Sequence, residues 1–445
     1  MMNFCEPRQP DRTLEIRRRF SAEEHLLYLT IPFEVPEGVE RMTISYAYAS
    51  HSGETLDMES GQFTSRRRLN TIDLGLLGPR GEQIGTSGSD KNEIFISETV
   101  ATPGYRAVAL TPGTWQIIAG VYRVAAEGVE VSYRVRFEMK HRRLLFGDPH
   151  THTVASDGIL TLEGLARHAR AHGLDFLAIT DHNQPASKAA MPAVEGLTLI
   201  PGVEWTQYGG HANFLGVDLP YDGRFFANEP AGVLEKFASA RERGATIVLN
   251  HIQDESVPFR YDFRTLPFDA VEVWNGPMRM SNLRGIGMWD EMLKAGMKVP
   301  AVGGSDYHAD RFAQMLAGPC MGVYAESAGQ SDILEAVRRG RSFICFQPNS
   351  AALDMRIGNV LMGGTTGWRE GLELEVLLTG LVKGDVVKLI SPSGSREVFE
   401  APTDGGFSGR FAVTERGYVR LELWQSFQGI LPALPALVSN PIWIG

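Results

Sequence analysis

A strand–helix–strand pattern over residues 147–183 constrains the fold of this chain more than any other feature. A short apolar stretch begins at Leu144, and a second, continuous one extends from Leu174 to Ile179. Between them, apolar residues recur at helical spacing, at Leu162, Leu165, Ala166 and Ala169. Polar residues follow both strands, and parallel α/β folds place their active sites at the carboxyl ends of strands. The pattern therefore predicts a parallel α/β domain with a functional site at that edge.

The polar residues that follow these two strands are typical metal ligands. His150 and His152 are two positions apart, and such side chains point to the same face of an extended segment. Asp157 lies five positions further on, and the second strand leads to Asp181 and His182. Adjacent strand residues face opposite sides, so we expect His182 to bind metal and Asp181 to orient a neighbouring ligand. The stretch therefore predicts a metal site.

Strands alternate with helices from Leu144 to about residue 345, which is typical of a parallel α/β domain. The predicted strands are 144–149, 174–180, 197–203, 211–217, 245–250, 269–274 and 299–304. The predicted helices are 161–172, 231–243, 281–295 and 331–339.

Short apolar runs separated by turn residues precede and follow this region, and they predict β-sandwich-like modules. The runs before it are 26–31, 42–49, 71–77, 107–110, 115–122 and 129–137, and those after it include 372–378, 386–390 and 418–423. We therefore expect three domains: an N-terminal β module over 1–140, an α/β domain over 144–345 and a C-terminal β module over 346–445.

Composition limits the class of protein. A length of 445 residues favours two or three domains, and 43% hydrophobic with 22% charged residues is typical of soluble globular proteins. No apolar run approaches the roughly 20 residues of a membrane span. Residues 1–19 are polar and do not resemble a secretory signal, so a cytoplasmic location is expected. A net charge of −10 argues against a nucleic-acid partner, which would require a basic face.

Further candidate ligands fall mostly at the ends of the other predicted strands. Glu204 ends one strand, His251 follows another, and Asp306 and His308 follow a late one with the same two-residue spacing as His150 and His152. His211 is the exception, because it begins a strand and would need the preceding Gly209-Gly210 loop to bring it inward. The strand ends thus supply candidate ligands from distant parts of the chain.

Together these residues form a set of nine nitrogen and oxygen ligands. The set is His150, His152, Asp157, His182, Glu204, His211, His251, Asp306 and His308. Zinc uses three or four protein ligands, so two or three ions are expected, with a carboxylate bridging a pair. Mixed imidazole and carboxylate ligands favour zinc, iron or manganese.

These motifs resemble those of the PHP (polymerase and histidinol phosphatase) superfamily. The matching elements are His150-Thr151-His152, Thr180-Asp181-His182-Asn183, Gly202-Val203-Glu204, His251 and Asp306-Tyr307-His308. The flanking β modules and the ending Ser439-Asn440-Pro441-Ile442 are similar to the CehA/McbA-type metallohydrolase branch. The resemblance covers about residues 144–345 closely and implies a distorted (β/α)7 barrel with a two- or three-metal site.

The resemblance also implies how the ligands are shared. His150, His152, Glu204 and Asp306 would bind one ion, and Glu204 would bridge to a second ion held by His211 and His251. Asp157, His182 and His308 would hold a third. Some members of the superfamily have histidine in place of Asp157, and Pro149 stands where leucine is expected.

The expected activity is metal-dependent hydrolysis of a phosphoester, with a phosphorylated small molecule as substrate. Three divalent ions against the three carboxylates Asp157, Glu204 and Asp306 leave about three positive charges, which would attract phosphate. A metal-bridging hydroxide is the expected nucleophile, and ions acidify bound water toward a pKa of about 7. We expect Glu204 and Asp306 to act through the metals, and Asp181 to relay the leaving-group proton.

Two other functions fit the sequence. The same site can attack a carbonyl group, so hydrolysis of a carboxylic ester, carbamate or amide is the alternative. A non-catalytic binding scaffold fits less well, because the ligand set is nearly complete. His168 and His172 lie four apart on a predicted helix, but no glutamate follows His168, so we expect them on the helix surface.

Overall fold

Residues 10–51, 68–311, 314–426 and 432–445 are described by a computed structural model. The chain divides into two compact units, residues 6–141 and residues 142–445. None of the helices in these described ranges is long and apolar enough to cross a membrane.

The unit over residues 6–141 consists of two four-stranded antiparallel sheets. Their strand orders are β1-β8-β3-β6 and β2-β7-β4-β5. The strands are β1 (Arg12–Phe20), β2 (Tyr28–Val35), β3 (Val39–Tyr48), β4 (Thr71–Leu77), β5 (Gln83–Ser87), β6 (Glu93–Ser97), β7 (Gly113–Arg123) and β8 (Val129–Met139). Alternate residues of β8, including Tyr133 and Phe137, are buried in one core with residues of both sheets. The run at 107–110, which we expected to be a strand, has no strand pairing.

The unit over residues 142–445 begins with the predicted alternation of strands and helices. The strands are β9 (Arg143–Asp148), β10 (Phe176–Ile179), β11 (Thr198–Gln207), β12 (Gly210–Leu215), β13 (Thr246–Leu249), β14 (Ala270–Asn275), β15 (Ala301–Gly304), β16 (Cys320–Ala325) and β17 (Ser342–Cys345). The helices are α1 (Leu162–Ala171), α2 (Pro230–Glu242), α3 (Met280–Lys294) and α4 (Gln330–Arg338). Helix α1 buries Leu165, Ala166 and Ala169, the stripe that the sequence pattern indicates.

Strands β9 to β15 lie side by side in chain order. The pairs β9–β10, β10–β11, β13–β14 and β14–β15 are parallel, whereas β12 runs antiparallel to both β11 and β13. The two outer strands meet at one end, where Thr151 and Tyr307 form a parallel bridge and the His152 amide donates to the Tyr307 carbonyl at 2.9 Å. This sheet segment is therefore curled.

The closed seven-stranded barrel is not confirmed. Beyond the bridge at Thr151, no ladder joins β9 to β15 within the described ranges, and the free edge of β9 pairs with β16 instead. From β16 the sheet continues through β17 into the C-terminal segment and reaches 15 strands. The architecture is accordingly a curled mixed sheet with a long antiparallel extension.

The C-terminal segment supplies that extension and a further four-stranded sheet of order β19-β18-β21-β24. Its strands are β18 (Ala352–Ile357), β19 (Val360–Leu361), β20 (Thr365–Thr366), β21 (Glu373–Leu381), β22 (Val386–Ser391), β23 (Gly394–Glu400), β24 (Gly405–Ala412), β25 (Gly417–Gln425), β26 (Leu434–Ser439) and β27 (Ile442–Ile444). Leu165 of α1, Ile179 of β10 and Leu421 of β25 belong to one buried apolar cluster. The expected boundary at residue 345 remains a prediction.

Candidate metal centre

The nine predicted ligands converge at one edge of the curled sheet. His150 and His152 follow β9, His182 follows β10, and Glu204 lies near the end of β11; the remaining ligands are His211, His251, Asp306, His308 and Asp157. His211 does not need a special loop, because β12 is antiparallel and its amino end lies beside the carboxyl ends of its neighbours. The antiparallel direction of β12 therefore explains why His211 lies at the start of a strand and not at its end.

The carboxylate of Glu204 is the centre of the cluster, and it is 1% exposed. Its Oε1 lies 3.0 Å from His211 Nδ1, 3.3 Å from His251 Nε2 and 3.4 Å from His150 Nε2. Its Oε2 lies 2.7 Å from His182 Nδ1 and 3.7 Å from His152 Nε2. Five imidazole rings therefore surround one carboxylate.

The other two carboxylates lie further along the same edge. Asp306 Oδ1 is 2.9 Å from His152 Nε2 and 3.3 Å from His150 Nε2. Asp157 Oδ1 is 3.1 Å from His308 Nε2 and 3.6 Å from His182 Nε2. Asp157 is also the most open of the three, because 59% of its side chain is exposed.

Donor atoms gather into three groups whose members lie within 4.8 Å of one another. One group is His150, His152 and Glu204, the second is His182, Glu204 and His211, and the third is His152, Asp157, His182 and His308. Glu204 belongs to the first two groups, as expected of a bridging carboxylate. His152 belongs to the first and third, His182 belongs to the second and third, and His251 and Asp306 belong to none of the three.

Several buried polar atoms of the cluster lack a hydrogen bond within the described part of the chain. They are His150 Nε2, both ring nitrogens of His152, Glu204 Oε2, His251 Nδ1 and Asp306 Oδ1. Buried polar groups are normally paired, and orphaned groups indicate an ion or another unseen partner. Imidazole nitrogens and carboxylate oxygens are also the donors that zinc, iron and manganese accept. The residues present therefore fit divalent metal ions.

The electrostatics of the cluster are strongly coupled. Burial alone would lower the pKa of His150, but Glu272, Asp306 and Glu204 together raise it well above the ordinary value. Burial would likewise raise the pKa of Glu204, but His150 and the neighbouring rings hold it well below its usual range. Glu204 is thus an anion, which is the state in which a carboxylate binds metal.

Backbone conformation at the strand ends is unusual. Asn183, His251 and Asp306 have φ angles of +51°, +30° and +50°. Residues other than glycine rarely adopt this region, and such strain concentrates at functional sites. Each of the three lies two to four residues beyond the end of a strand.

Asp181 supports the site from behind. Its carboxylate accepts hydrogen bonds of 2.7 Å from the Thr153 amide, the Thr153 hydroxyl and the Ser156 hydroxyl. These bonds fix the turn that carries Asp157. A positioning role for Asp181 was one of two sequence-based expectations; the proton relay remains a prediction.

Three further residues, which the sequence pattern of candidate ligands does not indicate, contact those ligands. Asn250 donates to Glu204 Oε1 at 2.8 Å, and the Thr206 hydroxyl lies 2.7 Å from His182 Nδ1. Glu272 is buried in β14, with its Oε1 2.9 Å from His150 Nδ1. The signal for Glu272 was available, because it is the one charged residue in the apolar strand Ala270–Asn275.

His168 lies on α1, His172 is the cap residue that follows the helix, and neither belongs to the three donor groups. Their rings are 4.2 Å apart, and His168 Nε2 is 3.7 Å from Asp310 Oδ1. The pair is therefore separate from the metal-ligand cluster.

Similarity to known proteins is limited to parts of the chain. No protein-family model matches the sequence. The 5′-3′ exoribonuclease Rnm of Salmonella typhimurium is 28% identical over 147 residues, which cover 30% of this chain and 43% of that protein. The Rnm protein of Escherichia coli is 33% identical over 124 residues, covering 25% of this chain and 39% of that protein. The chain thus spans about two-fifths of the length of the curated relatives it matches.

Among solved structures, the chain is similar to a two-domain protein from Bacteroides vulgatus described as containing a predicted PHP-like metal-dependent phosphoesterase. The TM-score is 0.39 at 16% identity, with 67% of this chain and 95% of that chain covered.

Proposed function

We propose that this protein is a metal-dependent phosphoesterase whose active site is the cluster around Glu204. The observation that carries the proposal is the cluster itself: five imidazoles face the two oxygens of Glu204. Within the described residues, buried polar atoms of His150, His152, His251, Glu204 and Asp306 lack a hydrogen bond. Such a site suits two or three divalent ions. When bound, these ions would acidify water and stabilise negative charge on a phosphoryl group.

The charge balance of the site favours three ions. Asp157, Glu204 and Asp306 contribute three negative charges, and Glu272, in contact with His150, adds a fourth. Two further buried carboxylates, Asp148 and Asp181, contact the same segments. A third ion, at the position lined by Asp157, His182 and His308, would add positive charge beside these carboxylates and so favour an anionic phosphoester.

The residues themselves divide into holding and orienting roles. Glu204 would be shared by the two inner positions, and His150, His152, His211, His251 and Asp306 would complete them. His182, His308 and Asp157 would hold the outer position, where the exposed side of Asp157 would give a substrate access. The side chain of Asn183 orients β11, the strand that contains both Glu204 and Thr206. Asn183 Nδ2 donates to the Thr206 carbonyl, and Asn183 Oδ1 accepts from the Thr206 amide.

The relatives add a second candidate substrate. Their names denote 5′-3′ exoribonucleases, so a phosphorylated RNA end is a candidate beside a small phosphoester. This candidate conflicts with the expectation of no nucleic-acid partner, which rests on the net charge of −10. The global charge does not exclude it, because metal charge acts locally.

A substrate panel on the metal-loaded protein tests the proposal. It should contain p-nitrophenyl phosphate, p-nitrophenyl acetate, and one oligoribonucleotide with either a 5′-phosphate or a 5′-hydroxyl. We expect phosphoester cleavage that the Glu204→Gln variant lacks. Faster turnover of the acetate than of every phosphoester would transfer the assignment to acyl hydrolysis. Cleavage of the 5′-phosphorylated RNA alone would make an RNA end the substrate.

A further inference from the structure

Glu272 is a buried acid that the metal-binding scheme leaves without a role. It lies in the middle of β14 and is 2% exposed. It contacts the Nδ1 side of the His150 ring, whereas Glu204 and Asp306 contact the Nε2 side. Burying a carboxylate is costly unless donors satisfy it, so its position calls for a specific set of partners.

Two of those partners are residues of the metal centre. Oε1 lies 2.9 Å from Nδ1 of the His150 ring, and Oε2 accepts a hydrogen bond of 2.9 Å from the backbone amide of His251. A third donor, Asn275 Nδ2, lies 3.1 Å from Oε2. One carboxylate therefore contacts a ligand of the first proposed position and a ligand of the second.

Each contact determines how its ligand faces the cluster. An anion at Nδ1 requires a proton there, which leaves Nε2 of His150 to face Glu204 and Asp306 at 3.4 and 3.3 Å. The bond to the His251 amide anchors a residue at a φ angle of +30°, whose ring reaches Glu204 Oε1 at 3.3 Å. Partners outside the ligand shell commonly set histidine orientation and tautomer in this way.

Glu272 is itself held in place. Asn282 of α3 accepts from the Asn275 amide at 3.2 Å and donates to the Asn275 carbonyl at 3.1 Å. Asn275 in turn donates to Glu272. A chain of hydrogen bonds thus runs from the first turn of α3 through Glu272 to both ligands.

Resting on the proposed metal centre, we propose that Glu272 is a positioning residue that orients His150 and His251 together and so couples the metal positions that these two ligands serve. Removing its charge should weaken both positions at once, whereas loss of an ordinary ligand weakens mainly its own.

The variant Glu272→Gln tests the positioning role directly, because one amide cannot accept hydrogen bonds both from His150 and from the pair formed by the His251 amide and Asn275. Oε2 has two N–H donors, so the amide oxygen of glutamine should take that place. Its NH2 group then faces His150 Nδ1 and requires a bare nitrogen there. The ring must move its proton to Nε2, which occupies the lone pair that would face the metals. Glutamine therefore keeps the shape of the side chain at position 272 but moves the proton of the His150 ring from Nδ1 to Nε2.

Two measurements follow. Nitrogen-15 NMR of histidine-labelled, zinc-saturated protein should show His150 protonated on Nδ1, with no proton on Nε2, in the parent, and should show loss of that state in Glu272→Gln. Equilibrium dialysis against Zn²⁺ should show affinity falling about 10- to 100-fold at two positions in the variant. Glu422→Gln is the matched control, since Glu422 is also a buried glutamate but pairs with Arg420 and Trp424.

The outcomes separate this inference from the proposed function. An Nε2 proton on His150 in the parent overturns the positioning role even if the variant fails to fold. Unchanged zinc affinity and tautomer in a folded Glu272→Gln protein also overturn it. A parent that binds no zinc, together with a Glu272-dependent tautomer, would instead remove the metal centre and leave the orientation of His150 intact.

Discussion

Glu204 differs from every other ligand because both of its oxygens are shared. Oε1 faces three imidazole rings and Oε2 faces two more, and all five rings belong to the set of candidate ligands. A neutral residue at position 204 would leave the five imidazole rings without the carboxylate between them. No negative charge would then offset the positive charge of bound ions or protonated rings. The whole cluster therefore depends on this one carboxylate.

The first prediction is that Glu204→Gln loses metal and turnover together. We expect phosphoester hydrolysis to fall by at least roughly 10²- to 10³-fold, because the charge stabilisation at the reacting centre is lost. His251→Ala should behave similarly, because it removes a ring from the same oxygen. Metal content by mass spectrometry and circular dichroism should be measured on the same samples. A well-folded Glu204→Gln protein with parental activity would refute the bridging role.

A milder effect is predicted for Asp157→Ala. Asp157 is largely exposed and contacts His182 and His308, the outer edge of the cluster. Its loss should remove the outer ion, lower the metal content by about one equivalent and slow phosphoester cleavage more than it slows cleavage of a neutral ester. Asp310→Ala is a matched control, since its side chain is 64% exposed at the same edge but belongs to no donor group. Full metal content in Asp157→Ala would contradict the outer position.

At the residue scale the sequence predicts which candidate ligands come together better than it predicts the residues that support them. His150 and His152 are two residues apart, as are Asp306 and His308, and this spacing can be read from the sequence alone. The contact between Glu272 and His150 joins positions 122 residues apart, and no local spacing encodes it. Asn250 is adjacent to His251, but an asparagine at the end of a strand does not by itself indicate a contact with Glu204.

Strand β15 shows how closely an element must approach the site. Gly304 ends this strand, and a Cβ atom there would lie 2.6 Å from His150 Cβ and 3.2 Å from both Asp148 Oδ1 and Glu272 Oε1. Its neighbour Gly303 has Ile344 and Trp274 at similarly short distances. The paired glycines thus allow β15 to pack against β9, β14 and β17.

We therefore predict that Gly304→Ala displaces His150. Overpacking of this kind costs about 1 to 3 kcal/mol of folding stability, and metal affinity should fall as well. The comparison is Gly287→Ala on the exposed face of α3, where nothing lies within 4 Å of the added Cβ atom. That change should stabilise the helix by about 1 kcal/mol. Chemical denaturation with and without metal measures both, and equal stability of the two variants would contradict the close approach.

At the element scale, local pattern was informative where packing agreed with it. The four helices lie within a residue or two of the predicted ranges, because apolar spacing and terminal signals coincide. The direction of β12 was not predicted, since a strand's amino-acid pattern is the same in either orientation. Strands β16 (Cys320–Ala325) and β17 (Ser342–Cys345) were not predicted, although the predicted helix α4 lies between them. Short apolar runs do not by themselves distinguish a buried strand from other buried segments.

At the scale of the whole molecule, the sheet continues where a closed barrel was expected. The edge of β9 pairs with β16, and β17 pairs with β26 of the C-terminal segment. Buried charge pairs reinforce this connection: Arg142 binds Asp354 at 3.2 Å, and Arg420 binds Asp290 of α3 at 3.1 Å. Long-range pairing decides whether a sheet closes or extends, and such pairing is not visible in local sequence.

This organisation predicts where metal removal should destabilise the protein. All nine candidate ligands lie in the unit over residues 142–445, so bound metal should stabilise that unit. The expected gain in its free energy of unfolding is RT ln(1 + [M]/Kd), roughly 4 kcal/mol when the metal concentration is a thousand times Kd. Chelation should therefore accelerate amide hydrogen exchange in β9–β15. Peptides from β1–β8 serve as an internal reference within the same sample. Uniform acceleration across both units, or none after verified loss of metal, would show that the ions do not contribute to the stability of the sheet on which the proposed centre is built.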